Sequence, residues 1–172
     1  TFKILKHHID EVITANTDEI CAAIKDIFDD TRSIAEPAGA LALAGLKKYV
    51  AREACEGRTL IAIDSGANMN FDRLRHISER TEIGEKREGV FAVTLPEKPG
   101  AFRGFCAALG KRNITEFNYR YADSRDAHVF VGLQLRQGEH ERSELKAGLE
   151  KKGYPVLDLS DDEMAKLHIR HL

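Results

Sequence analysis

The residues best suited to chemistry are Ser65-Gly66-Ala67-Asn68, which follow directly on the apolar run Leu60-Ile61-Ala62-Ile63 and Asp64. An apolar run that ends abruptly in Ser-Gly-x-Asn predicts a buried parallel strand, Thr59–Ile63, delivering a polar loop to a pocket at its carboxyl end. Ser65 offers a hydroxyl there, and Gly66 lets a flat polar cofactor come close. Glu36-Pro37-Ala38-Gly39 stands in a comparable place, at the start of a helix rich in small residues. Together the two segments can build a pocket for an aromatic nitrogen heterocycle. Ser65 would bond the ring nitrogen, and a hydroxyl, unlike a carboxylate, does not force the ring to protonate. Each segment also has a plain structural reading: Ser65-Gly66 as a turn, Glu36 as a helix cap, the small residues as close packing.

A second set comprises Pro99, Gly100, Tyr119 and Arg120. The Pro99-Gly100 turn opens a helix at Ala101, whose amide groups can meet an amino acid's carboxylate. Arg120 can add a charge-assisted bond to that carboxylate or to a partner subunit. Strand alternation puts Phe117, Tyr119 and Tyr121 on one face and Asn118 and Arg120 on the other. Tyr119 and Arg120 near the turn would form either a small-ligand site or an interface. Cys21, Cys55 and Cys106 are odd in number and lack CxxC spacing, which fits reduced thiols in a cytosolic protein and gives no catalytic cysteine. His7 and His8 point about 100° apart on a helix and cannot grip one ion. His168 and His171 can share a face but have no second ligand pair, so no metal site is expected.

The elements that must position these residues follow from periodicity. Residues 1–30 read as helical, with Thr17 or Asp18 as a cap and Ile20, Ala23, Ile24, Ile27 and Phe28 spaced by three and four. Pro37 starts a buried Ala/Gly-rich helix that ends in solvent at Lys47, Lys48 and Tyr49. Met69–Arg87 reads as a short helix and then a linker, because residues 79–88 mix both charge signs. From Gly89 the pattern becomes strand Val90–Leu95, helix Ala101–Lys111, strand Ile114–Ala122, a turn at Asp123–Asp126, strand Val129–Leu135, helix Glu139–Lys152 and strand Val156–Leu159. Ser160-Asp161-Asp162-Glu163 then reads as a capping box for a last helix. The order βαββαβ predicts a ferredoxin-like α+β domain. The expected division is 1–78, a linker at 79–88, and 89–172. The 172 residues are 42% hydrophobic and 31% charged with net charge −2, a soluble composition that gives no electrostatic argument for nucleic acid or a membrane surface. No run approaches the ~20 apolar residues of a membrane span. The chain opens at Thr1 in helical sequence without a methionine, and Leu172 falls inside the last helix. The rest of the pocket is therefore expected to lie outside the chain.

The stretches Glu36–Gly45, Ser65–Phe71, Ser78-Glu79-Arg80, Thr115–Arg120 and Leu157–His168 together resemble the carboxyl-terminal part of biosynthetic threonine dehydratases. The resemblance implies an α/β tail of a fold-type-II pyridoxal-phosphate domain followed by an ACT-like regulatory subdomain, the first of two. It implies a cytoplasmic homotetrameric parent that converts threonine to 2-oxobutanoate and ammonia in isoleucine biosynthesis, with pyridoxal 5'-phosphate as cofactor and isoleucine and valine as effectors. Ser65 matches the family's ring-nitrogen partner, with Gly66 beside it, and Glu36 matches the pocket-wall carboxylate. The family's Schiff-base lysine and glycine-rich phosphate loop have no match in residues 1–172. Lys47 and Lys48 stand in the wrong context, so no catalytic residue is assigned and the chain alone is expected to be inactive. A free-standing ACT-like amino-acid-binding module is the alternative, and the cofactor-pocket residues argue against it. A catabolic or serine-directed dehydratase is disfavoured by the long segment after Arg87.

Overall fold

The computed structural model describes residues 2–121 and 126–170. The chain forms two compact units, Thr1–Gly84 and Glu85–Leu172. The first holds α1 (Phe2–Leu5), α2 (Thr17–Thr31), α3 (Pro37–Arg52) and α4 (Arg73–Gly84). The expected helical stretch over 1–30 is interrupted at residues 6–16. Asn16, not Thr17 or Asp18, is the cap. Its Oδ1 accepts from Glu19 N–H at 2.9 Å, and the Glu19 carboxylate accepts from Asn16 N–H at 2.8 Å. This reciprocal pair satisfies two orphan donors and fixes where α2 begins.

Cys21, Ala23 and Ile24 of α2 pack on Ala40 and Ala44 of α3 and on Ile77 of α4. Small residues let these helices approach closely. The Ala/Gly-rich helix is buried along one stripe only, at Gly39, Ala40 and Ala44, while Leu41 remains 44% exposed. It also runs past Tyr49 to Arg52, with Lys47 paired to Asp26 and Lys48 to Glu19 at 3.0 Å. Residues 79–84, expected as part of a solvated linker, belong instead to α4 and bury Arg80, Thr81 and Ile83. Arg80 escapes the usual exposure of an arginine because it meets Asp18 of α2 at 3.0 Å, both side chains being nearly inaccessible. Thr81 Oγ1 adds bonds to the carbonyls of Ile77 and Cys21.

Thr59–Ile63 does not form the expected strand. It has no ladder partner among the described residues, and Ile61 and Ile63 are 84% and 74% exposed. A buried parallel strand draws both its hydrogen bonds and its cover from neighbours, so an apolar run alone cannot make one.

The second unit holds β1 (Glu88–Pro96), α5 (Ala101–Leu109), β2 (Ile114–Tyr121), β3 (Asp126–Gln134), α6 (Gly138–Lys151), β4 (Val156–Asp158) and α7 (Glu163–Arg170). The sheet order is β2-β3-β1-β4, every neighbouring pair antiparallel. This is the expected α+β split βαβ arrangement, with β3 between β1 and β2 and a helix crossing over each half. Alternate residues Phe91, Val93 and Leu95 of β1 and Val129, Val131 and Leu133 of β3 face Phe105, Leu109, Leu145 and Leu149 of α5 and α6, and these residues form the core. Of the expected turn at Asp123–Asp126, residues 123–125 lie outside the described residues and Asp126 opens β3; His171, considered above with His168, also lies outside them.

Ser160 is not the expected helix cap. Asp162 takes that place, accepting from Ala165 N–H at 2.9 Å. Ser160 is fully buried. Its Oγ accepts from Val90 N–H at 2.9 Å and donates to Asp158 Oδ1 at 2.7 Å, joining the segment after β4 to β1. Ser160→Ala leaves the Val90 amide without this acceptor, so a loss of about 1–3 kcal/mol is expected. Chemical denaturation of the variant measures it, and an unchanged midpoint would show that the bond is replaced.

Candidate functional site

The first candidate site is built where the α3 start meets the loop at residues 64–66. The backbone N–H of Glu36 donates to the Gly66 carbonyl at 3.0 Å. A Cβ placed at Gly66 would overlap the Glu36 carboxylate, and one at Gly39 would overlap both the Asp64 carboxylate and the Gly66 carbonyl. Glycine is thus required at position 39, where a Cβ would meet backbone, while at Gly66 only the flexible end of Glu36 would have to move. Glu36 occupies the N-cap position of α3, but its side chain makes no capping bond. Its carboxylate lies instead over Gly66. Ser65 stands beside this contact and is exposed. Among the three sequence-selected residues, the structure joins Glu36 to Gly66 directly and leaves the Ser65 hydroxyl open.

The second candidate site lies at the open edge of the sheet. Gly100 caps α5 with φ +86°, in the left-handed region, and Pro99 and Gly100 are both exposed. Tyr119 of β2 donates its hydroxyl to Glu97 at 2.5 Å, which ties the edge strand to this turn. That carboxylate holds the Tyr119 phenol above its ordinary range. Phe102 of α5 meets Phe117 edge-on at 5.4 Å and Tyr119 edge-on at 6.4 Å. The three rings are 46%, 37% and 44% exposed, since an edge strand has a neighbour on one side only. Phe102 stands apart from Phe105 and Leu109 of the same helix, which are buried in the core. Arg120 is not part of this cluster. Its guanidinium lies over the Phe130 ring at 5.6 Å, and its Nε donates to Asn118 at 3.4 Å on the opposite sheet face. Sequence reading therefore missed Glu97 and Phe102. The deciding feature is register: β3 lies between β1 and β2, with Leu95 and Tyr121 both opposite Ala127, which brings the end of β1 level with Tyr121, two residues along from Tyr119.

At the other end of the sheet Glu141 of α6 collects donors. It accepts from the backbone N–H groups of Arg136 and Gln137 at 2.6 and 3.1 Å, and from Arg112 Nε at 3.1 Å. The Arg136 amide, with Gln137 and Arg112 behind it, holds the Glu141 carboxyl below its ordinary value of 4.5. A depressed folded-state pKa contributes stability above the unfolded value, and that contribution disappears as pH falls through the folded value. Glu141→Gln is expected to cost about 1–2 kcal/mol at neutral pH. The difference from the parent chain should shrink progressively below about pH 4.5. Stability measured against pH in both proteins checks this, and a constant gap down to strongly acid pH would refute it.

The family model for the C-terminal regulatory domain of threonine dehydratase matches residues 79–169. The chain belongs to this family. Its ACT-like sheet is thus the regulatory domain's sheet, and the aromatic edge at Phe102 and Tyr119 is a feature of that domain. Likeness extends beyond it. The chain is 54% identical over all 172 residues to the biosynthetic L-threonine dehydratase IlvA of Burkholderia multivorans and to that of Escherichia coli, covering 34% of each. It is 45% identical over 184 aligned residues to the mitochondrial threonine dehydratase of Saccharomyces cerevisiae, covering 32% of it. The chain thus spans about a third of the length of the curated relatives it matches. Because the match includes residues 1–78, a free-standing regulatory module is not favoured. No helix among the described residues is long and apolar enough to cross a membrane.

Proposed function

We propose that this chain is the carboxyl-terminal part of a cytoplasmic, homo-oligomeric threonine ammonia-lyase dependent on pyridoxal 5'-phosphate, and that its second unit senses isoleucine or valine. The observation that carries the reading is the half-exposed aromatic edge beside the Gly100 turn. An amino-acid effector needs a positive pole for its carboxylate, an anion for its ammonium and an apolar surface for its side chain. The amides opening α5 can supply the first. Glu97 can supply the second, exchanging its Tyr119 bond for the ligand's ammonium. Phe102 and Phe117 can supply the third. Pro99 and Gly100 keep the turn open, and Arg120, on the far sheet face, is assigned to the subunit or subdomain contact rather than to the ligand.

The cofactor, when bound, would supply an electron sink for removing the substrate's α-proton. The residues present fit one wall of its site. The Ser65 hydroxyl is open to accept or donate a bond at a ring nitrogen, Gly66 allows close approach, and Glu36 sets a carboxylate beside both. Lys47 and Lys48 are engaged with Asp26 and Glu19, which supports assigning neither to covalent chemistry.

The test is isoleucine titration of the 172-residue chain followed by amide chemical shifts. Saturable shifts confined to Glu97, Gly100, Ala101, Phe102 and Tyr119 are expected. Tyr119→Phe keeps the ring but loses the bond to Glu97, and should alter affinity by less than the ~10-fold loss expected for Glu97→Gln, which removes the ammonium's partner. Shifts located elsewhere, or none, would overturn the assignment.

A further inference from the structure

The end of the sheet opposite the effector turn carries a cleft of about 250 Å³ lined by Lys111, Arg112, Asn113, Gln134, Arg136 and Glu141. The α5–β2 loop supplies the first three residues, and the end of β3 with the start of α6 supplies the rest. Three cations face one carboxylate, so the cleft has a formal charge of +2 (three minus one). The carboxylate is committed. Glu141 is held by the Arg136 and Gln137 amides and by Arg112. Arg112 is itself fixed, donating also to the Leu109 carbonyl at 2.8 Å. This clamp makes the floor of the cleft rigid. Asn113 donates to Gln134 at 2.8 Å across the cleft, leaving an amide oxygen and an amide nitrogen on its wall. Lys111 and Arg136, in contrast, have no ion-pair partner among the described residues, and both are exposed.

We propose that this cleft binds a small dianion of the phosphate class. Two unpaired cations flank a preorganised polar floor, and their excess charge matches that of inorganic phosphate or a phosphate monoester in its dianionic form. A monocarboxylate would neutralise only half of it. The cleft is lined by charged and amide side chains with no apolar surface for an aliphatic side chain, which separates it from the aromatic edge at Phe102. Arg112 and Glu141 are positioning residues here, since each holds the other and the loop ends. Lys111 and Arg136 are the groups that would touch the ligand.

Inorganic phosphate, mainly a dianion at pH 7.5, titrated calorimetrically into the 172-residue chain at that pH and physiological salt, provides the test. One-to-one binding with Kd below about 1 mM is expected, weakening as salt is raised. The double variant Lys111→Ala/Arg136→Ala should bind at least tenfold more weakly. The control Arg103→Ala/Lys151→Ala removes the same charge from exposed helix positions and should change affinity less than twofold. Amide shifts should centre on Asn113, Gln134 and Gln137. Both variants change solvent-exposed side chains, and matching circular dichroism checks that they fold. Absence of saturable heat, an equal loss in the control variant, or shifts spread over the surface would each overturn the proposal. Isoleucine competing for the cleft would overturn it too, by assigning the cleft to a carboxylate.

Discussion

Asp18→Ala is expected to destabilise the first unit by about 3–5 kcal/mol, enough to unfold a marginal domain. Asp18 and Arg80 meet at 3.0 Å with side chains 6% and 3% exposed. Removing Asp18 takes a buried carboxylate away from a buried guanidinium, and breaking a buried ion pair from one side costs several kcal/mol. The site cannot relax easily. Gly84, one turn beyond Arg80, lies so close to α2 that a Cβ there would overlap the Asp18 carbonyl. Urea unfolding followed by far-ultraviolet dichroism measures the loss. Asp18→Leu combined with Arg80→Met separates the charge effect from packing. The double variant should recover most of the stability, because replacing both ions with apolar groups of similar volume removes the desolvation cost entirely. A double variant as unstable as the single one would mean that helix geometry, not charge, is at stake.

Gly100→Val is the second change with a large expected effect, this time on regulation. Gly100 has φ +86°, a conformation that costs an L-residue about 1–2 kcal/mol and is worse for a β-branched one. A Cβ at this position meets nothing within 4 Å, so the cost is backbone strain and not collision. The strain falls on the turn whose amides are proposed to receive the effector's carboxylate. In the full-length parent, the isoleucine inhibition constant should rise roughly 5–150-fold, the span of ordinary coupling energies, with uninhibited turnover near normal. Gly100→Asn serves as the comparison, because asparagine tolerates the left-handed region. It should retain most of the response. Equal loss in both variants would point to blocked ligand approach rather than a deformed turn. An unchanged dose-response in Gly100→Val would place the effector site away from this turn.

Much of the second unit was legible in order. Period-two alternation in Val90–Leu95, Ile114–Tyr121 and Val129–Leu135, and apolar stripes at Phe105, Leu109, Leu145 and Leu149, are local properties of the chain. Each strand also gains cover and partners within about 70 residues, so the local preference and the final fold agree. Thr59–Ile63 shows the opposite case. Its composition asks for a buried strand, yet a strand exists only as a pairing, and no described residue pairs with it. The Asn16 capping box was likewise in the sequence. It was assigned one or two residues late because Thr17 and Asp18 are equally good caps by type, and only the geometry of Glu19 selects among them.

The sequence by itself determined the family, the βαββαβ order and the residues from which a site can be chosen, because these depend on residue type and spacing. Tertiary structure alone decided which of those residues meet. Arg80, one charge in a mixed run, became buried when α4 packed against α2 and found Asp18 sixty-two positions earlier. Tyr119 joined Glu97, and Arg120 went to the other face with Phe130, because the register of β2 on β3 sets which side each residue takes. Both outcomes are long-range. A charge or a ring carries no mark of its partner until the backbone brings the two within hydrogen-bonding or van der Waals reach, and that distance is a property of the assembled helices and sheet.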